Sequence, residues 1–529
     1  MYFRFPTIVC VSTALLLGAQ SLALAQDVAP PPVPPLPPPA PLPWAPPVPY
    51  PPPPAWMPPV LPPPPMPPVP PAPLEPWTSG YHNGSFYVRS PDDVFRLYVQ
   101  GRVHTDYYDA FGPGLNELPP GGAPAHGFIL RRARLELGGE FFQTWQWQVG
   151  AEFAPSTATN VASNTGGLSC KVSATTSALS CAPTEATVDA PAVSPAPTDV
   201  FVNYAPSPWV NVQVGQFYLP FTLENRISDN TTTFLERALV VRTIGAPLQR
   251  DIGAMVWGES PNRVLYYTAG VFNGDGPNRP NADNRYDFAG RAVVRPLATA
   301  TSTFSKWAEL GVSVHNGSRD ATKVGYDMPA LTTSQGFAFW RPTYTDSYGR
   351  LIHILPSGAQ EAVGGDLYLP IGKLDLTAEV VYSDYNTREA VDGLQLSPFT
   401  ERLGALTGWG YYAQVSYWVI GDQEILGYPS YGRPIHVELT KEQLRPRHGV
   451  QIAARIDQLG LTYKGSSRGG TDDAKTPSGS VDVTSVTLGF NYWATRHLRV
   501  SVNYGYYALP THSTLSNLNE VSARVGVQF

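Results

Sequence analysis

Cysteine is nearly absent: three residues in 529. That excludes a disulfide-dense scaffold. Beyond the N-terminus no run of about eighteen apolar residues occurs, which excludes helical membrane spans. Charged residues make up only 15%, lysine is scarce beside arginine, and the net charge is −6. No basic tail or patch offers a surface for nucleic acid. The chain also lacks GxSxG, HExxH and phosphate-cradling glycine loops, and its nine histidines do not cluster. These absences leave no catalytic constellation, metal site or cofactor site, so the chain reads as a non-enzyme. The loop DGPNRPNADNRYD (275–287) has oxygen ligands without the spacing of a calcium loop.

What is present begins with an export signal. Arg4 supplies a basic end, residues 8–19 an apolar core too short to span a bilayer, and Ala23-Leu24-Ala25 a small-residue cleavage pattern. Residues 1–25 therefore read as a signal peptide. Cys10 leaves with it. Cys170 and Cys181 remain, in a Ser/Thr/Ala-rich insertion spanning 154–198, and the simplest expectation for an exported loop is a disulfide between them. Residues 30–76 hold half of the 58 prolines. Proline lacks the amide donor and clashes with a preceding turn, so neither helix nor ladder can form there. Polyproline II is the default, reaching on the order of 145 Å at ~3.1 Å per residue. The span 26–90 reads as a proline-rich periplasmic extension. It is either a stiff spacer or a tether to the cell wall or a periplasmic partner through Trp44, Trp56 and Trp77.

From 91 to 529 the pattern becomes alternation in runs of about ten residues bounded by turn residues. Strands of soluble sandwiches average about five or six residues, whereas transmembrane barrel strands need about nine to eleven. Phe95, Leu97, Val99 and Val103 alternate with Arg96, Tyr98, Gln100, Arg102 and His104. The apolar set belongs to lipid and the polar set to a wet interior, because an unpaired charge in hydrocarbon is costly. In the second run Arg132, Arg134 and Glu136 take the inner parity, and Ile129, Ala133, Leu135 and Leu137 the outer. Arg131 falls on the outer parity and is expected to snorkel to the interface. Runs begin near 95, 127, 145, 199, 210, 251, 264, 286, 306, 361, 373, 406, 448, 481, 498 and 516. The expected fold is all-β: a transmembrane antiparallel β-barrel of about 16 strands, preceded by a signal peptide and a proline-rich segment.

Long and short connections alternate as outer loops and periplasmic turns should. The exception is 421–447, long on the periplasmic side, which either folds into the lumen or marks a slip in the pairing. The last run puts Val521, Ala523, Val525, Val527 and Phe529 on one face. An apolar alternation closing on an aromatic is similar to the signal used by barrel-insertion machinery.

One connection stands apart. Residues 219–250 carry Arg226, Arg237, Arg242 and Arg250, and Thr233-Phe234-Leu235-Glu236 spells a capping box ahead of a short helix that Gly245 can close. The segment is expected to fold into the lumen and constrict it. Together with FILRRARLELGGEF (128–141), VGQFYLPFTLEN (214–225), FLERALVVRTIG (234–245), RDIGAMVWG (250–258), YTAGVFNG (267–274), SYWVIGDQE (416–424) and LGFNYWATRHLRVSVNY (488–504), the chain resembles the phosphate-selective porin O and P family. The resemblance covers most of 95–529. It implies a sixteen-stranded barrel, often trimeric, whose third loop narrows the pore and whose basic residues pass phosphate-like anions. Here that loop has its four arginines and no lysine, against Glu224, Asp229 and Glu236.

Parity assigns inner charges without the family. Barrel closure sets strands fifteen, sixteen, one and two side by side, gathering Arg499, Arg524, Arg96, Arg102, Arg132 and Arg134 into a basic wall. Strands nine and eleven, roughly opposite, present Glu309, Asp375 and Glu379. Facing walls of opposite sign predict a transverse field across a wet constriction, with anions tracking the arginines. The alternative is that these charges only solvate a polar lumen. The resulting expectation is a porin in the outer membrane of a Gram-negative-type cell, a homotrimer held in outer-membrane lipid. It would pass small anions by diffusion, phosphate or polyphosphate among them. The competing readings are a non-selective general porin and an envelope anchor acting through residues 30–76. The tether reading expects a chain lacking 27–77 to lose the co-sedimentation with cell-wall sacculi that the full chain shows, and equal retention removes it.

Overall fold

The computed structural model describes residues 78–529 apart from 83, 118–123, 155–167, 173–178, 184–194, 246–247, 303, 321–327, 341, 343, 346–350, 392–401, 430, 438, 440–447, 468–477 and 509–515. The signal peptide, the proline-rich residues with Trp44, Trp56 and Trp77, and most of the insertion 154–198 lie outside the described residues.

Nineteen strands share one sheet, and sixteen of them close a barrel. They are β1 (Phe95–Phe111), β2 (Gly127–Phe141), β3 (Trp145–Glu152), β4 (Ala196–Ser207), β5 (Val210–Tyr218), β6 (Arg250–Glu259), β7 (Leu265–Phe272) and β8 (Asp287–Val294). The second half comprises β9 (Glu309–Arg319), β10 (Leu351–Ile371), β11 (Leu374–Val391), β12 (Arg402–Ile420), β13 (Gly449–Ser467), β14 (Ser478–Thr495), β15 (Leu498–Ala508) and β16 (Asn517–Gln528). Consecutive strands pair antiparallel, and β16 returns to β1 with Val527 opposite Val103. Each lies where the alternation put it. From β10 to β14 the strands run 18 to 21 residues. That is well past the roughly nine to eleven a bilayer needs, so this side of the wall projects beyond the membrane.

The pleat sorts the side chains as expected. On β9, Leu310, Val312 and Val314 are 56%, 60% and 46% exposed on the outer face, while Glu309 and Ser313 are buried inside. Strand β2 departs from strict parity. Its register against β1 shifts between His104 and Thr105, so His104 faces Arg132, Thr105 faces Leu130, and Arg131 is the extra residue of a bulge. A bulge re-aims a side chain. Arg131 does not snorkel outward: it turns into the lumen and reaches Glu236 at 2.9 Å. Upstream of the bulge the outer face passes to Phe128 and Leu130, 81% and 40% exposed, and Ile129, opposite lumen-facing Asp106, moves to the inner face.

Phe529 seals the barrel. Its amide donates to the Gly101 carbonyl at 3.0 Å and its carbonyl accepts from the Gly101 amide at 2.7 Å. The Phe529 ring occupies the place a Cβ would take at residue 101, which is why glycine sits there. Residues 78–89, grouped with the proline-rich extension by sequence, form a hairpin of Thr78–His82 and Ser85–Arg89. Its second strand continues the ladder along β1, pairing Phe86 with Val99 and Arg89 with Arg96. Tyr81 reaches His497 in the β14–β15 turn, and the Phe86 ring lies 6.4 Å from that of Phe529.

The barrel interior is filled rather than open throughout. Residues 219–245, after β5, lie inside it, with Phe221, Leu239, Val240, Val241 and Ile244 at 0–1% exposure. They pack on inward-facing Val381, Leu406, Leu459, Leu461, Val481 and Val483 of β11 to β14. The long connection after β12 also folds inward as far as it is described. Tyr431 is fully buried and stacks on Tyr266, with centroids 4.6 Å apart. Ile425 and Leu426 pack beneath Trp418 and Trp493.

In the insertion, Leu168–Val172 and Leu179–Pro183 pair as a separate ladder in which Cys170 lies directly opposite Cys181. Under denaturing conditions a maleimide should label neither cysteine of the exported protein until a reductant is added. Labelling without reductant would overturn the pairing.

Candidate functional site: the lumen constriction

The constriction loop is held by both of its backbone polarities. On the side of β15 and β16, arginines donate to its carbonyls. Arg499 reaches Thr232 and Thr233 at 2.7 and 2.8 Å, and Arg524 reaches Leu235 at 2.9 Å. On the side of β11 and β13, carboxylates accept from its amides. Glu379 takes the Leu223 and Glu224 N–H groups at 2.7 and 2.8 Å, and Asp457 takes that of Leu239 at 2.9 Å. An unpaired buried backbone group costs as much as a lost hydrogen bond, so these wall charges substitute for the ladder the loop lacks.

Its side chains complete the lock. Asp229 lies 3.0 Å from Arg132, 3.4 Å from Arg134, 2.9 Å from Arg237 and 4.0 Å from Arg102. Glu236 lies 2.9 Å from Arg131, 3.6 Å from Arg132 and 3.2 Å from Arg524. Burial by itself raises a carboxyl. At Asp229 the guanidinium groups of Arg132, Arg237, Arg134 and Arg102 overcome it and hold the group well below the ordinary carboxylate range. Glu236 is likewise held down against its burial by Arg131, Arg132 and Arg524. Glu224 goes the other way: burial outweighs the pull of Arg455 and raises it.

The anticipated capping box does not start a helix. Glu236 is spent on arginines, the Thr233 carbonyl accepts from Arg499 and Asn491, and the helical turn is a π-helical one at Val241–Gly245. The cap-like sequence is overridden because lumen cations offer Glu236 a stronger partner than a backbone amide.

The other anticipated residues fall into three places. Arg102, Arg132, Arg134, Arg237, Arg499 and Arg524 come together around the loop. Arg96 does not join them and is tied at the rim to Asp93 at 2.6 Å. Arg242 reaches up to the Thr333 carbonyl at 2.6 Å, and Arg250 pairs with Asp199 at 2.8 Å over the Tyr218 ring. Arg226 is buried on the loop's underside. Among the acids, Glu379 receives the loop, Glu309 pairs with Arg295 at 3.1 Å, and Asp375 accepts from the Tyr368 hydroxyl at 3.2 Å. The acidic side is not bare of cations. Arg291 pairs with Asp366 at 2.8 Å, and β9 runs far enough to place buried Arg319 against Asp287.

Sequence reasoning put Arg131 on the wrong face, left out Asp366, and offered inward folding of 421–447 as one of two readings without its contacts, in which Tyr431 bridges Arg295 and Glu309 and Arg433 pairs with Glu259 at 3.1 Å. The Arg131-Arg132 doublet was the available signal: two charges on both parities of one strand call for a bulge. Asp366 was legible by parity alone. Nothing in the composition of 421–447 marks it as inward-facing.

A closed sixteen-stranded barrel with a loop folded across its interior defines a porin-type channel. The chain belongs to the phosphate-selective porin O and P family, whose profile matches residues 98–519, and is a porin of the outer membrane. No curated protein matches it. Similar solved structures include OmpT of Vibrio cholerae, an outer membrane protein, in a loop L8 deletion mutant: 11% identity, 83% of this chain, 100% of that chain, TM-score 0.43. The outer membrane channel DcaP of Acinetobacter baumannii gives 12% identity, 82% and 97% coverage and TM-score 0.42. An anion-selective porin from Comamonas acidovorans gives 9% identity, 82% and 100% coverage and TM-score 0.40. Likenesses this remote carry no argument about what this chain conducts.

Removing the Asp229 charge leaves its arginines buried against one another, a loss on the order of 3–5 kcal/mol for a broken buried pair. Asp229→Asn should therefore loosen the loop, read as open-channel current noise and protease cleavage within 226–242. Because the folded pKa of Asp229 is depressed, its contribution is complete above its ordinary value and fades only as pH falls through the lowered one. Asp229 should thus add no change in wild-type current noise between pH 7 and about pH 5, and any change there belongs to a raised acid such as Glu224.

Proposed function

We propose that the protein is a porin for passive diffusion of small anions, phosphate or polyphosphate among them, assembled as a homotrimer. The observation that carries this reading is a charge imbalance beside the constriction. Arg102, Arg131, Arg132, Arg134, Arg237, Arg499 and Arg524 share Asp106, Glu136, Glu152, Asp229 and Glu236, seven cations to five carboxylates among the described residues. Among the described residues Arg499 has no carboxylate and donates only to neutral acceptors. Across the lumen the balance reverses: Glu224, Glu309, Asp366, Asp375, Glu379 and Asp457 stand with Arg291, Arg295 and Arg455. A solute in the gap between loop and wall meets the positive side in a low-dielectric setting, where field lines are focused.

The general-porin reading differs in one measurable respect, and the anchor reading in another. In a planar bilayer with a steep KCl gradient, the wild-type reversal potential should lie toward chloride, and millimolar phosphate should reduce the chloride current. Arg132→Glu with Arg134→Glu should move reversal toward potassium. A wild type without ion preference supports the general porin, and a folded barrel with no current steps supports the anchor.

A further inference from the structure

On the short-turn side of the constriction loop lies a cavity of about 380 Å³. This is within the range of roughly 300–1,000 Å³ typical of small-molecule sites. Arg102 of β1, Arg226 of the loop, Arg250 of β6, and Arg433 and His436 of the inward connection line it, with Tyr218 on one wall. Four of these five groups already face carboxylates: Arg250 has Asp199, Arg102 has Glu136, Arg433 has Glu259 and His436 has Glu140, and Asp199 and Glu136 line the cavity too.

Arg226 is different. It is 1% exposed. Its Nη1 donates to the Tyr218 carbonyl at 2.6 Å, its Nε has no hydrogen-bond partner, and no carboxylate lies within ion-pair distance among the described residues. The Nε of Arg102, another buried donor, is also unpartnered. The Arg226 guanidinium borders the cavity at Gly432, where an added Cβ would stand 3.5 Å from Nη1 and 3.6 Å from Cζ. Gly432 holds φ +59°, a left-handed conformation suited to glycine, and without a side chain its backbone lies close against the guanidinium, which meets the cavity only at its edge. A guanidinium out of water without a counter-charge is unfavourable, and an entering anion relieves it.

We propose that this cavity is a binding site for a small organic oxyanion, a phosphate or carboxylate head on a polar body, with Arg226 anchoring the head. A guanidinium recognises planar and tetrahedral oxyanions alike through charge-assisted hydrogen bonds. The size and the polar lining from Gln100, Gln148 and Ser228 suit a ligand with hydroxyls rather than a bare ion. The inward connection forms the closing wall. Arg433 and His436 reach the cavity while pinned from behind, Arg433 by Glu259 at 3.1 Å and His436 by Glu140. Solutes leaving the constriction toward the short turns would pause here.

This deepens the conduction reading, and equilibrium binding separates the two. Detergent-solubilised, folded trimer or monomer would be titrated with glycerol 3-phosphate, a hydroxylated carboxylate such as gluconate, and inorganic phosphate, beside bilayer recordings. Saturable binding of at least one organic anion, tighter than inorganic phosphate by severalfold, is expected. Arg226→Gln should lose it tenfold or more, and Arg433→Gln, a turn residue whose loss spares the loop lock, should weaken it severalfold. Heat-modified mobility on gels reports that each variant is folded. Inorganic phosphate binding as tightly as both organic anions, or both folded variants binding like wild type, would overturn the site. Binding by a chain that passes no current would overturn the conduction reading and leave the site standing.

Discussion

The structure turns on one carboxylate. Arg102, Arg132, Arg134 and Arg237 crowd within 4.0 Å of Asp229, and without it they would repel one another in a space closed to bulk water. Exposed ion pairs contribute about 0–1 kcal/mol, while leaving a buried charge unpaired costs several times more. The wall therefore cannot hold its arginines at this density unless the loop brings the acid, and the loop has no ladder of its own unless the wall takes its backbone groups. Each makes the other possible, so the loop is part of the barrel's interior construction rather than a flap resting in it.

The second half of the loop obeys different physics. After Arg237 its sequence becomes Ala-Leu-Val-Val, and these side chains meet the apolar inner face of β11 to β14. Each fully buried Val, Leu or Ile contributes roughly 1.5–3 kcal/mol, with no directional demand. Charge thus sets where the loop lies, and apolar packing sets how firmly. The two attachments share β11 and β13, where Glu379 and Asp457 take loop amides and Val381, Leu459 and Leu461 take its apolar side chains. The wall strands show the same division: on β13 inner parity reads Arg455, Asp457, then Leu459, Leu461, polar under one half of the loop and apolar under the other.

Strand number and position were legible because period-2 alternation over ten residues has few rivals. Parity carried the inner and outer faces until β2, where Arg131 adds one residue and exchanges the faces beyond it. The constriction loop was legible as an excursion rich in arginine, but its contacts were not. Thr233 and Glu236 have the spacing of a cap, and only the position of Arg131, Arg132 and Arg524 in space shows that Glu236 has better partners. The inward course of 421–437 was one of two readings its length allowed, but its contacts were hidden for a related reason. Tyr431 and Arg433 find partners on β7, β9 and β6 and at Arg295 just past β8, more than a hundred residues away in sequence, and no local pattern encodes such a meeting.

The hairpin at the short-turn rim has a mechanical meaning. The chain enters it at Thr78, which pairs with Arg89, the residue that leads onward to β1. Tension arriving from the proline-rich side and the reaction from the barrel therefore act at the same end of the hairpin. That geometry opens pairs one at a time, Thr78–Arg89 first and His82–Ser85 last, instead of shearing the whole ladder together. The force needed would stay near that of a single pair. A pull on Thr78 would thus open five pairs in turn before the ladder along β1 is sheared.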